Sequence, residues 1–248
     1  MMLYPSTPAS LRSSMSGCSF RAVYGPVRSW RFGRSLGIDP IGRISTCSFN
    51  CVYCQLGEIQ LSTVHRQVFV PTQHIVQELN AFAGREPVDV VSLSGSGEPT
   101  LALNLREILV AAKQILQCPT VVLTNSTLLG DPSVQRDLCC ADIVAAKLDA
   151  FSAAALHRIN RPATEVDWSA LLAGLLAFRQ GYNGCFAIQT MMLSPWAPET
   201  EAQFIQLLQN LQPDEVQLNI PTRPRALSRQ LDARGNHEPE LRTYAAQP

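Results

Sequence analysis

Five stretches of the chain are rich in apolar and β-branched positions. They are VDVVSLSG (Val88–Gly95), TVVLTN (Thr120–Asn125), DIVAAKLDA (Asp142–Ala150), CFAIQTMML (Cys185–Leu193) and DEVQLNI (Asp214–Ile220). Such runs suit strands covered on both faces of a parallel sheet. RIST (Arg43–Thr46) is expected as a sixth, short strand ahead of them. Between the runs, apolar positions recur at helical spacing. The helical segments are Pro71–Gly84, Leu103–Gln117, Asp131–Leu138, Val166–Gly181 and Ala197–Leu211. Pro71 and Pro198 stand at first turns, acids follow Pro198, and Gly84 and Gly181 stand at helix ends. The alternation predicts βαβ units with right-handed crossovers. Six such units build an open barrel or a doubly wound sheet, and periodicity does not separate the two.

In either arrangement the ligand lies at the carboxyl ends of the strands. The residues expected at that rim are Cys47 onward, Gly95 to Pro99, Asn125 and Ser126, Lys147 and Asp149, Gln189 and Met191, and Asn219. Polar groups and thiols therefore collect where the architecture places a site. Lys147 and Asp149 flank Leu148, so alternation puts both on one face. They either hold a ligand or pair with each other.

The chain has 248 residues, enough for one large α/β domain. Lys plus Arg number 20 and Asp plus Glu number 20, so no global pull toward nucleic acid or membrane is implied. No apolar run is long enough to span a bilayer. The charge is uneven, however. Before Asp39, the first acid, come Arg12, Arg21, Arg28, Arg31 and Arg34 among many serines. Residues 1–22 therefore read as a disordered tail, or as the result of an early start with Met15 as the true one. An organelle transit segment is the alternative. Residues 23–224 form the expected core and 225–248 a flexible tail. The tail region carries Arg225, Arg229, Arg234 and Arg242, with Arg223 just before it. A solvated tail is the expectation there, and contact with RNA phosphates the alternative.

Eight cysteines without a secretory signal suggest a reducing, cytoplasmic setting. Cys18, Cys118, Cys139, Cys140 and Cys185 show no ligand spacing and read as small apolar side chains. The other three differ. STCSFNCVYCQLG puts Cys47, Cys51 and Cys54 inside eight residues, as C-x3-C-x2-C. Thiols this close read as a metal site. Structural zinc wants a fourth ligand, which here would be His65 or a distant cysteine. An electron-transfer cluster also wants four. A [4Fe-4S] cluster held by three thiolates, with one iron left open, is the third reading.

CSFNCVYC resembles the signature loop of the radical S-adenosylmethionine enzymes, with aromatic Tyr53 just before the last cysteine. SGSGEPT (Ser94–Thr100) resembles their Gly-Gly-Glu-Pro motif, with Ser96-Gly97 in place of the glycine pair. GPVRSWRFGRSLGID (Gly25–Asp39), KLDA (Lys147–Ala150) and QLNIPTRP (Gln217–Pro224) resemble the subgroup related to the wyosine-base synthases of tRNA. Those synthases carry extra amino-terminal cysteines for a second cluster. Only Cys18 precedes the loop here, so a second cluster is not expected.

The resemblance implies a partial (β/α)6 barrel of parallel strands. It implies a [4Fe-4S] cluster on Cys47, Cys51 and Cys54, and S-adenosylmethionine as cofactor. It implies an external one-electron donor of flavodoxin or ferredoxin type. The reaction implied is hydrogen abstraction from a substrate by a 5′-deoxyadenosyl radical, with a tRNA base the first substrate to consider. Activation of a glycyl-radical enzyme and small-molecule biosynthesis share the same loop and stay open, as does a non-enzymatic zinc module.

Tyr53 is expected against the adenine, and Gly95, Ser96 and Gly97 beside the methionine part. Glu98 is expected to brace the ammonium or the loop amides, with Pro99 fixing the turn. Asn125, Lys147, Asp149, Gln189 and Asn219 are further cofactor candidates. Arg158 and Arg161 of HRINRP (His157–Pro162) are candidates for an anionic substrate or a solvated face. Met191 and Met192 read as packing.

Overall fold

A computed structural model describes residues 20–221. The expected amino-terminal and carboxyl-terminal tails, with Cys18, Met15 and Arg223 onward, lie outside them, apart from residues 20–22. Of these, Ala22 is buried, and its carbonyl accepts from Asp39 N.

The main sheet has seven strands. An antiparallel hairpin, β1 (Val23–Ser29) and β2 (Gly33–Ile38), forms one edge. From β2 onward every pairing is parallel, through β5 (Val90–Leu93), β6 (Thr120–Thr124), β7 (Ile143–Lys147), β8 (Cys185–Met191) and β9 (Glu215–Asn219). Helices α1 (Thr72–Phe82), α2 (Leu105–Leu116), α3 (Pro132–Leu138), α4 (Ala153–Ile159), α5 (Trp168–Gly181) and α6 (Pro198–Leu211) fill the crossovers. The sheet is open, with β1 and β9 at its ends, and is a partial (β/α)6 barrel.

The first parallel strand corrects the sequence reading. It is GRSLGI, not RIST. Asp39 Oδ1 accepts Ile41 N and Gly42 N at 3.0 and 3.1 Å, turning the chain out of the sheet after Ile38. Of RIST only Thr46 is extended, in a two-residue strand β3 (Thr46–Cys47) beside β4 (Leu61–Ser62). Hairpin strand β1 and helix α4 were not expected. Ser152 caps α4, its side chain accepting Ala155 N at 3.2 Å.

Each strand sorts its side chains between two layers. One face packs under the helices, where Leu36, Leu93, Val122, Val144 and Ile188 join the main core. The other lines the hollow of the barrel. Val90, Val121, Ala145 and Ala187 cluster there as a small apolar floor, with Ala145 and Ala187 paired in register and Phe32 against it. Toward the carboxyl ends the same face turns polar, with Ser92, Lys147, Gln189 and Gln217. The site thus opens at the rim that the alternation of elements predicts.

Candidate functional site

The cysteine loop is anchored at its root by SGSGEPT. Thr46 N donates to Ser96 O at 3.1 Å, and Glu98 N donates to Thr46 O at 3.0 Å. Both glycines are explained by contacts inside the protein. A Cβ on Gly95, whose φ is +141°, would stand 2.4 Å from Asp39 Cγ. A Cβ on Gly97 would stand 1.7 Å from Thr46 O. Ser96 is fully buried in this junction. Pro99 opens a single 3-10 turn, Pro99–Leu101, with Glu98 at its cap.

Glu98 is buried, and its carboxylate accepts four hydrogen bonds. The donors are Thr100 N at 3.0 Å, Thr100 Oγ1 at 2.7 Å, Thr124 Oγ1 at 2.7 Å and Asn125 N at 2.6 Å. Burial pushes its pKa up, and these bonds hold the rise back. Asn125 turns its side chain to the loop. Its Nδ2 donates to Ser48 Oγ at 2.8 Å and to Cys47 Sγ at 3.4 Å. Its Oδ1 accepts from Thr127 N and Oγ1.

Tyr53 closes the loop onto β7. Its hydroxyl donates to Asp149 Oδ2 and accepts from Lys147 Nζ at 2.9 Å. The ammonium lies 4.5 Å from the centre of the Tyr53 ring and 3.6 Å from Asp149 Oδ2. Asp149 Oδ1 accepts Met191 N at 2.7 Å. Burial, then the Asp149 carboxylate, raises the Tyr53 pKa well above its ordinary value. Gln189 Nε2 donates to Gln217 Oε1 at 2.8 Å, and Asn219 Nδ2 donates to Gln217 O at 3.3 Å.

Cys47, Cys51 and Cys54 line one cavity of about 700 Å³, together with Gly95, Gly97 and Glu98. Asn125, Lys147, Gln189, Met191 and Asn219 line it too. Ser96, Pro99 and Asp149 stand behind this lining. The cavity runs between the two sheet edges, from Trp30 and Phe32 on the hairpin to Leu218 and Ile220 after β9.

Among the described residues, no three His, Cys, Asp or Glu side chains gather to hold a single metal ion. Three soft thiols lining one cavity suit a cluster in which each binds a different iron. Burial raises the Cys47 pKa well above a free thiol's, and Glu98 and Cys51 add to it. Burial and then Cys54 push Cys51 up to about 12. A positive metal centre is what turns such thiols into thiolates. His65 is exposed and does not line the cavity, nor do the exposed Arg158 and Arg161.

Sequence reasoning missed Asn160, Gln217 and the hairpin tip. Asn160 is buried, and its Nδ2 donates to Asp149 Oδ2 at 2.9 Å and to Cys51 Sγ at 3.4 Å. At the tip, Trp30 is 74% exposed, and the Arg31 guanidinium lies 5.5 Å from the ring centres of both Trp30 and Phe32.

The family model of the Radical SAM superfamily matches residues 43–211. A UPF0026 protein of Synechocystis sp. is 55% identical over 219 residues, spanning 88% of this chain and 82% of that one. The solved structure of native anSMEcpe with bound AdoMet matches with a TM-score of 0.58 at 16% identity, over 77% of this chain and 52% of that one. Coproporphyrinogen III oxidase (HemN) from Escherichia coli, a radical SAM enzyme, matches with a TM-score of 0.53 at 19% identity, over 72% and 43%. At these identities the likeness to the solved structures is one of fold. The matched part of this chain spans about half the length of each. No helix among the described residues is long and apolar enough to cross a membrane.

Proposed function

Because the chain belongs to the Radical SAM superfamily and is an enzyme of it, we propose that Cys47, Cys51 and Cys54 hold three irons of a [4Fe-4S] cluster and that S-adenosylmethionine binds beside them. The observation that carries this reading is the shared cavity wall of the three thiols and the Gly95–Glu98 turn. When bound and reduced by an external one-electron donor of flavodoxin or ferredoxin type, the cluster and cofactor supply a 5′-deoxyadenosyl radical for hydrogen abstraction.

This chain's own residues position and enclose that chemistry. The Gly95–Pro99 turn fixes the root of the loop. Glu98 holds the turns after β5 and β6 together. Lys147 and Asp149 hold Tyr53 against β7. Gln189 and Asn219 form the far wall, where side-chain amides and the cavity's apolar floor face a substrate.

A tRNA base is the substrate class we favour. The wyosine-synthase-like motifs support it, and so does the hairpin tip. An exposed tryptophan beside an arginine offers a stacking surface and a positive charge to an unpaired base. A glycyl-radical partner enzyme and a small molecule are the competing substrates.

Anaerobic reconstitution with iron and sulfide, followed by dithionite and S-adenosylmethionine, tests the class. Wild type is expected to release 5′-deoxyadenosine and Cys51→Ala to release none. A colourless protein that binds one zinc per chain overturns the reading. Deuterium transfer from labelled tRNA into 5′-deoxyadenosine supports the substrate class. Transfer from a protein or a small metabolite instead overturns it.

A further inference from the structure

We propose that Asn160 is a positioning residue for Cys51 and raises the reduction potential of the cluster that the three cysteines hold. The proposal rests on the cluster reading above. Asn160 lies in the turn after α4, where Asn160 O accepts Asn50 N at 2.9 Å and Ile159 O accepts Val52 N at 2.9 Å. Ala163 N donates to Ser48 O at 2.8 Å, so residues 159–163 run beside the cysteine loop and are joined to it by backbone bonds. These bonds use main-chain atoms alone, which leaves the Asn160 side chain to Asp149, Tyr53 and Cys51.

The orientation of that side chain is settled by chemistry. A carboxylate only accepts, so the atom 2.9 Å from Asp149 Oδ2 must be the amide nitrogen. Of the two hydrogens on that NH2 group one goes to Asp149, and the other is shared between Cys51 Sγ and Tyr53 Oη, each 3.4 Å away. Asn125 makes the matching contact with Cys47 at 3.4 Å, its oxygen engaged by Thr127. An N–H pointed at a ligating sulfur withdraws electron density from it. It therefore stabilises the more negative, reduced cluster and raises the potential. Asp149 fixes the donor, so the β7 rim that holds Tyr53 also aims the amide at Cys51.

The test is an anaerobic redox titration of the reconstituted full-length protein, read by the electron paramagnetic resonance of the reduced cluster. Asn160→Ala is compared with wild type and with Arg158→Ala, an exposed change on the neighbouring turn of α4. The expected result is a potential shifted to more negative values in Asn160→Ala and unchanged in Arg158→Ala. Reduced cluster yield at an unchanged potential would make Asn160 a structural brace only and overturn the inference while leaving the cluster reading intact. Failure of wild type itself to assemble a cluster would overturn the reading beneath it. If Asn160→Ala does not fold, Asn125→Ser carrying asparagine labelled with 15N at the side-chain amide alone answers the question, because it removes the other amide that donates to a cysteine of the loop. Pulsed resonance of its reduced cluster is expected to show 15N coupling, and its absence overturns the proposal.

Discussion

Gly97 turns its Cα toward the carbonyl oxygen of Thr46 so closely that a Cβ there would stand 1.7 Å from that oxygen. The motif after β5 and the root of the cysteine loop are thus packed backbone against backbone. Gly97→Ala must push the two apart. The clash meets main chain, which cannot rotate aside as a side chain can. We expect a loss of ~2–4 kcal/mol, from overpacking and the loss of both hydrogen bonds at Thr46. Urea denaturation of the metal-free protein measures it. A change below about 0.5 kcal/mol, the scale of an ordinary surface substitution, would show that the junction opens freely.

The Tyr53 latch yields a second prediction. Asp149 has a fully buried side chain and takes hydrogen bonds from Tyr53, Asn160 and Met191 N. Tyr53→Phe removes one of these, and also the acceptor of Lys147 Nζ. Asp149→Asn sets an NH2 against either the Asn160 amide or Met191 N–H, since both carboxylate oxygens accept. Each change should cost ~1–3 kcal/mol, the penalty for a buried polar group that loses its partner. The double variant should lose less than the sum, with a coupling of ~0.5–3 kcal/mol. Strict additivity in denaturant midpoints would mean that the loop and β7 are held independently.

Arg34 pins the hairpin edge to β5 through Asp89. Its Nη2 lies 2.7 Å from Asp89 Oδ1, and its backbone N donates to Asp89 Oδ2 at 2.7 Å. The Arg34 side chain, then its backbone N–H, holds the Asp89 pKa down to about 2. A lowered folded-state pKa means that the unfolded chain binds the proton more readily. The contribution is therefore present above the ordinary aspartate value of ~4 and is lost as pH falls toward 2. Asp89→Asn should flatten the difference in stability in that window and leave the profile above pH 5 parallel to wild type. The pair is exposed, so added salt should shrink the effect. An acid limb identical in the two proteins would reject it.

These contacts explain what was and was not legible beforehand. The runs of β5 to β8 are visible because both their faces are covered, so almost every position is apolar, whereas the edge strand β9 leaves Val216 and Leu218 exposed. β2 is hidden because its inner face carries Ser35 and Gly37. Gly37 is glycine because the Tyr24 ring lies on it, where a Cβ would be 2.2 Å from Cζ. Only Leu36 and Ile38 on its outer face mark it as a strand. The cysteine loop is legible because its three cysteines are neighbours in sequence. Its supporting amides are not, since Asn125 and Asn160 reach their sulfurs from 78 and 109 residues away. A lone asparagine has no periodicity, and in HRINRP the arginines drew attention, although both stand in solvent. The helical spacing of Ala153 to Ile159, ending at Asn160, was the available clue to that turn.

Trp30 separates a structural role from a binding role most cleanly. It is 74% exposed at the tip of the β1–β2 turn, so its removal takes little apolar surface out of the folded state. Trp30→Ala should change the unfolding free energy by less than ~0.5 kcal/mol. If the tip stacks on an unpaired base at the cavity mouth, the same change should weaken RNA binding by ~1–3 kcal/mol, or about 5- to 150-fold. Filter binding of tRNA by wild type and variant at one fixed salt concentration checks this, since phosphate contacts alone vary steeply with salt. Trp30→Phe keeps an aromatic face and should recover most of the affinity. Release of 5′-deoxyadenosine without substrate should stay at the wild-type level in both variants, because the Trp30 side chain is mostly in solvent at the hairpin tip. Loss of that basal reaction in Trp30→Ala would instead tie the hairpin tip to the cofactor side of the site. Unchanged tRNA affinity would remove the hairpin from the argument for an RNA substrate.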